Sequence, residues 1–443
     1  MQIRLSDHFS YGRLLRFVFP SIVMMLFTSI YGVVDGLFVS NYVGTTAFAA
    51  INLIMPFLMI LGALGFMLGA GGSALVAKSL GEGDRDGALR SFSMLTYVSI
   101  GSGVLLTLIG IPLLRPISVW LGAEGEMIQY CISYGRIILV ALTAFMLQNL
   151  FQSFLITAER PKLGLAVTVA AGVTNMVLDF VFVALLRWGV EGAAIATAIS
   201  QTVGGIIPLL YFCNRSNKSL LRLVRPKFKG TILLKACTNG SSELMTNLSM
   251  SVVNMLYNFQ LMKFAGENGV AAFGVIMYVA FIFVAVFIGY SIGSAPIISY
   301  HYGAENRSEL KNLLRKSLFL MGIFGIGMTA LAEGLSLPLS KIFVGYDAEL
   351  LALTNRAFMI YSLSYVVTGF NIFASSFFTA LGNGGVSATI SFLRTLLFQI
   401  FSILLLPLIF QLDGIWFAVT VSELLALGVS IFFLLFEKKR YGY

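Results

Sequence analysis

The chain has 443 residues, 58% of them apolar and 11% charged, with a mean hydropathy of +0.90. A water-soluble fold of this length could not hide so much apolar surface, so its solvent is lipid. The net charge of +9 needs no nucleic-acid partner, because the basic residues are expected to segregate to one side of the membrane.

In chain order, apolar stretches fall near 14–40, 47–78, 88–114, 127–157, 163–187 and 190–213. A second set falls near 231–262, 268–299, 313–338, 350–380, 385–410 and 415–437. Each exceeds the roughly 20 residues needed to cross the hydrocarbon core. The pattern predicts an all-α membrane protein of twelve transmembrane helices, six per half. Period-two alternation is absent, which argues against a membrane β-barrel. The stretch 14–40 is too long for a signal peptide and lacks a small-residue cleavage site.

Residue i resembles residue i+222 along most of the chain. Gly44, Ala50 and Ile54 return as Gly266, Ala272 and Ile276; Gly71, Gly81 and Arg85 as Gly293, Gly303 and Arg307. Asn149, Phe151, Ser153 and Thr157 return as Asn371, Phe373, Ser375 and Thr379. Two like halves in an apolar chain are a transporter signature, since the halves can rock about a shared cavity. Six crossings is an even number, so the halves should be parallel repeats related by an axis along the membrane normal. The expected division is a first lobe at 1–213, a polar basic linker at 214–230 and a second lobe at 231–443.

Basic residues set the orientation. The segments on the side of the termini hold 22 of the 29, including Arg4, Arg85, Arg160 and the run Arg215, Lys218, Arg222, Arg225, Lys227 and Lys229. The opposite loops hold four: Arg115, Arg187, Lys263 and Lys341. Both termini are therefore expected in the cytoplasm, with the linker against anionic lipid headgroups. Cys131, Cys213 and Cys237 have no metal spacing and read as small membrane-helix residues.

The two copies disagree at four polar positions, where a repeat protein carries its function. Asp35 corresponds to Tyr257, Asn175 to Leu397, Asp179 to Phe401 and Thr197 to Val419. An aspartate at mid-helix costs roughly 2.5–3.5 kcal/mol on insertion scales, so such groups face a cavity or an ion pathway. At 1.5 Å per residue, Asp35, about 21 residues from its inner helix end, shares a level with Asp179 and Thr197, each about 7 from an outer end. Asn175 and Asp179 are four apart and share a helix face. This all-oxygen set suits sodium, or a proton shared between two acids. The plainer reading is polar glue between helices.

The second half has its own charges. Glu243 replaces Ser21, Glu423 replaces Gln201 and Arg394 replaces Gly172. Glu243 near the midplane would attract a cationic substrate, whereas Glu423 and Arg394 are expected to pair with each other. Asn254 and Tyr257 continue a polar stripe. Met24, Met25, Phe27, Tyr31, Met255, Met277, Tyr278 and Phe281 would supply adaptable apolar and aromatic walls. Pro20 removes a backbone hydrogen bond in the helix that carries Asp35 and would serve as its hinge.

The stretch Asn175-Met-Val-Leu-Asp179 with Gly189-Val-Glu-Gly-Ala-Ala-Ile-Ala-Thr197 resembles the helix 5–6 signature of the multidrug and toxic compound extrusion (MATE) family. Pro20 with Val34-Asp35-Gly-Leu-Phe-Val-Ser-Asn-Tyr-Val-Gly44 resembles that family's first helix, and Thr157-Ala-Glu-Arg-Pro161 its helix 4–5 turn. The resemblance implies a V-shaped cavity between the lobes and alternating access in the plasma (inner) membrane. It further implies antiport export of hydrophobic organic cations against sodium or protons, coupled at Asp35, Asn175, Asp179 and Thr197. No cofactor beyond the coupling ion and no structural metal is implied, and a monomer is expected. Some members carry an acid in helix 10; here 357–380 has none.

A flippase for lipid-linked sugars is the nearest rival, but an anionic substrate would want a basic cavity. An enzyme lacks a base, since His8 and His301 lie at helix ends on the side of the termini, and no P-loop or Gly-x-Ser-x-Gly occurs.

Overall fold

The computed structural model describes residues 3–214, 216 and 219–443, and every regular element among them is helical. Arg215 and Lys218 of the basic run lie outside the described residues. The first half comprises α1 (Tyr11–Tyr42), α2 (Thr45–Gly81), α3 (Arg85–Trp120), α4 (Glu126–Val140), α5 (Leu142–Thr157), α6 (Pro161–Asp179), a π-helical turn at Phe180–Leu185, and α7 (Gly189–Cys213). A short α8 (Gly230–Asn239) leads into α9 (Ser241–Gly303), α10 (Arg307–Val344), α11 (Ala348–Ser362), α12 (Tyr365–Ala380) and α13 (Gly384–Phe392). A second π-helical turn at Leu393–Leu397, α14 (Phe398–Phe436) and α15 (Lys438–Tyr441) complete the chain.

These helices make the twelve crossings that the hydropathy predicts. Straight, the 63 residues of α9 would run about 95 Å, three times the hydrocarbon thickness. Gly266 (φ 59°, ψ −150°) breaks α9 into two crossings, and Gln411 (φ 50°, ψ −131°) divides α14. Helix α4 with α5, and α11 with α12, are bent pairs (53° and 49°), each making one crossing.

The repeat is written into the backbone as well as the side chains. Gly44, Gly83 and Gly189 have positive φ, and 222 residues later so do Gly266, Glu305 and Gln411. Asp84 caps α3 by accepting from the Gly87 amide, and its counterpart Asn306 caps α10 by accepting from that of Glu309. One boundary differs from expectation. The span predicted from 231 is broken at Gly240 into α8 and α9, because the chain there presses on the backbone of α2. A Cβ at Gly240 would come within 2.0 Å of the Met67 carbonyl oxygen, and one at Gly71 within 2.1 Å of that of Ala236.

The halves meet where α1 and α2 pack on α9. The tightest approach is reciprocal. A Cβ on Gly81 would lie 2.0 Å from the Tyr300 carbonyl oxygen, and one on Gly303 2.1 Å from that of Lys78. Since 78 and 81 correspond to 300 and 303, the contact is two-fold symmetric and self-complementary. It lies at the face that carries both termini. At the opposite face, Gly44 and Gly266 have open space around them, so the bundle is a V closed at the terminal face.

The N-terminal segment straps that closed face. The Leu5 amide donates to Glu159 Oε1 (2.7 Å), and the Phe9 amide to Glu309 Oε1 (2.8 Å). His8 Nδ1 lies 2.5 Å from Glu309 Oε2, and Lys316 Nζ donates to the Phe9 carbonyl (2.6 Å). Leu5 and Phe9 are fully buried. The strap thus joins the α5–α6 turn of the first half to α10 of the second.

Candidate functional site

The first-half site is built on α1 and α6. Asn175 and Asp179, one helical turn apart, are both buried, and the half-buried Asp35 of α1 faces them. Asp179 is the last residue of α6 before the π-helical turn, a backbone defect that often marks a functional position. The two carboxyls and the amide face one another. Yet neither Asp179 oxygen, nor Oδ1 of Asp35, meets a donor in hydrogen-bonding geometry. Buried carboxylate oxygens without donors are rare in folded proteins, and this donor-poor, oxygen-rich corner fits a small cation or a shared proton. Among the described residues no group of three or more His, Cys, Asp and Glu could hold a metal ion.

Three tyrosines stand within electrostatic reach of Asp35: Tyr31 of α1, Tyr134 of α4 and Tyr278 of α9. Tyr278 comes from the other half; its Oη would be 3.3 Å from a Cβ at Gly36. Tyr134 was not foreseen, although its counterpart Arg356 is a polarity change of the kind that singled out Asp35. Thr197 is half-buried on α7 and makes no hydrogen bond to Asp179. Helix α1 runs unbroken through the buried Pro20.

The second half holds a cavity instead. In the first half, Gly172 is covered by rings, since a Cβ there would meet Phe27 at 2.5 Å and Tyr31 at 2.8 Å. The corresponding positions are Arg394, Ser249 and Val253. Two rings are gone, a guanidinium is admitted, and a π-helical turn carries it. The result is a cavity of about 290 Å³ whose walls all come from 243–423, at the lower end of ligand-pocket sizes. Glu243, Asn254, Tyr257, Met277 and Phe281 line it together with Tyr361, Arg394 and Glu423. Tyr31 does not line it; that ring packs on Phe27 (centroids 6.0 Å apart) in the first half. Met255 faces outward, 73% exposed.

On the cavity wall Arg394 and Glu423 form a two-pronged pair, with Nε 2.9 Å and Nη2 2.8 Å from Oε1. Asn371 Nδ2 donates to Glu423 Oε2 (2.7 Å), and Ser430 Oγ donates to Asn371 Oδ1 (2.9 Å). Glu243 has no such partner among the described residues. Breaking a buried pair strands its other charge, so Arg394→Met should destabilise the protein by about 3–5 kcal/mol. Arg394→Met with Glu423→Gln should recover most of that loss. Thermal unfolding in detergent decides; equal losses in both variants would contradict the account.

A closed-bottomed V of twelve lipid-facing helices, with a buried acidic cluster in the first half and a charged cavity in the second, defines a two-lobed integral membrane protein of the transporter class. The chain belongs to the MatE family, whose profile matches residues 20–181 and 244–405. It is 23% identical over 423 residues to the multidrug export protein MepA of Staphylococcus haemolyticus, covering 95% of this chain and 92% of that one. To MepA of Staphylococcus saprophyticus it is 22% identical, covering 91% and 87%. Its fold matches the outward-facing conformation of a multidrug resistance MATE family transporter of the MOP superfamily, with a TM-score of 0.91 at 23% identity, covering 98% of this chain and 97% of that one.

Proposed function

We propose that the protein is a multidrug exporter that trades hydrophobic organic cations for sodium ions or protons entering the cell. The observation that carries this reading is a division of labour between the halves. The first holds two donor-poor carboxylates too enclosed for a drug, and the second holds a ring-walled cavity with one unpaired acid. The names of the MepA relatives favour multidrug export.

In the proposed cycle, residues 1–213 and 231–443 move as two bodies joined by 214–230. The closed terminal face is cytoplasmic, and a sodium ion or proton reaches Asp35, Asn175, Asp179 and Thr197 through the open arms. Its arrival reshapes α1 about Pro20, and drug bound near Glu243, Tyr257, Asn254, Met277 and Phe281 is released outward. Tyr31, beside Asp35, would carry the change across to the lobe interface. Only a ligand with unequal affinity for two states can shift them, so the ion must prefer one. The protein is expected to act as a monomer in the plasma membrane, with no cofactor besides the ion.

Binding of a fluorescent aromatic cation to detergent-solubilised protein tests the cavity. Glu243→Gln should weaken it about tenfold, the scale of one charge-assisted contact. Unchanged affinity would remove Glu243 from the substrate site.

A further inference from the structure

We infer that the α3–α4 face holds an anionic phospholipid in the leaflet opposite the termini, with Arg115 and Arg136 gripping its headgroup phosphate. The two arginines stand on neighbouring helices, and both are exposed. Leu114 fills the notch at Gly135, where a Cβ would meet its Cδ2 at 2.4 Å, and Thr107 Oγ1 donates to the Leu139 carbonyl (2.6 Å). These contacts pair α3 and α4 antiparallel. One residue beyond Leu114, and one beyond Gly135, is a rotation of about 100° on each helix; between antiparallel helices the two rotations lead to the same side of the pair. Arg115 and Arg136 therefore project side by side, within about 5 Å of each other in height. Half-buried Ile111 and Ile132 lie between them.

That side of the pair faces lipid. Tyr134 precedes Arg136 by two residues, so it lies about 200° away around α4, and it stands on the inward side with Asp35 and Asp179. Helix α3 packs on α2, α4 and α5, away from the second half. Five residues beyond Arg115, Trp120 is 83% exposed, as a residue of the aromatic belt would be. The arginines start about one to two turns deeper than that belt, a depth from which a long guanidinium side chain snorkels up to the headgroups.

Neither guanidinium has an ion pair among the described residues, and the acids of the connecting turn, Glu124 and Glu126, do not reach them. Two like charges on a lipid face without a counter-ion are costly. The fold does not require them, since Leu337 and Phe358 stand at the corresponding positions of the second half. A phosphodiester supplies what the pair lacks: acceptor oxygens for two planar donor forks, and one negative charge. An ammonium on the same headgroup would be repelled by the pair. The site therefore favours anionic over zwitterionic phospholipid.

The test puts a fluorescent reporter beside the pair. Val119→Trp, at an exposed position one turn beyond Arg115, is made with Trp120→Phe and Trp188→Phe; the third tryptophan, Trp416, is buried. The full-length protein is reconstituted in phosphatidylcholine liposomes containing brominated phosphatidylglycerol or brominated phosphatidylcholine as quencher. Half-maximal quenching should need about tenfold less of the phosphatidylglycerol, the order expected for two basic residues near anionic headgroups. Adding Arg115→Leu and Arg136→Leu should bring the two lipids within about twofold of each other. Equal quenching by both lipids while the arginines are in place would overturn the inference, and so would a preference that survives in the leucine variant. Either result leaves the export reading standing. Should the leucine variant not fold, the comparison of the two lipids with both arginines present still decides.

Discussion

Replacing Asp35 and Asp179 together by asparagine should abolish ion-driven accumulation of dye in liposomes while dye-for-dye exchange continues. Asparagine keeps the shape of the side chain and removes the charge. Uncoupled exchange needs only the cavity and the rocking of the halves, whereas driven accumulation needs an ion with unequal affinity for the two states. Accumulation should fall at least tenfold, to the level of empty liposomes. The variant should also unfold no more readily than the wild-type protein, because a mid-membrane aspartate costs roughly 2.5–3.5 kcal/mol and these oxygens find no donor to offset it. Loss of both exchange and accumulation in a stable protein would reassign the pair to the substrate path.

Gly81 and Gly303 carry the second large effect. Each abuts a carbonyl oxygen across the lobe interface at a separation no Cβ tolerates, 2.0 and 2.1 Å. The obstacle is backbone and cannot swing aside. Gly81→Ala with Gly303→Ala should therefore destabilise the closed terminal face by about 1–3 kcal/mol per site, the usual scale of overpacking. Transport should drop by more than tenfold. A cysteine introduced as Ser21→Cys, in a background lacking Cys131, Cys213 and Cys237, sits in the closed seam (Ser21 is 1% exposed). It should react far faster with a water-soluble maleimide in the double-alanine protein. Gly101→Ala, where a Cβ meets nothing within 4 Å, is the control and should change neither readout. Unaltered labelling of Ser21→Cys in the double-alanine protein would show that the seam is not what holds this state closed.

The crossings and the repeat were legible in the sequence because both rest on strong signals: long apolar stretches, and identities at one fixed offset. The facing of Asp35, Asn175 and Asp179 could be read for a similar reason. Buried acids are conspicuous in lipid, and spacing by four fixes a shared helix face. The pairing of Arg394 with Glu423 followed from cost, since two midplane charges of opposite sign are cheaper together.

What the sequence hid has physical causes too. Met255 and Met277 look alike in a row of apolar residues, yet one faces outward and the other lines the cavity. In a membrane both lipid and packing are apolar, so hydropathy does not separate the two faces. The cavity opens beside Val253, which is smaller than its counterpart Tyr31, a difference of volume that residue polarity does not register. The break at Gly240 and the strap of Leu5 and Phe9 depend on partners more than 100 residues away, which local patterns do not encode.

The most direct test of the central claim is dye transport by the purified protein in liposomes, with sodium and proton gradients imposed separately. The account predicts that one gradient drives a cationic dye against its concentration, and that Asp35→Asn removes this drive. Dye movement under neither gradient, in protein shown to be folded, would contradict coupled export and turn attention to lipid translocation.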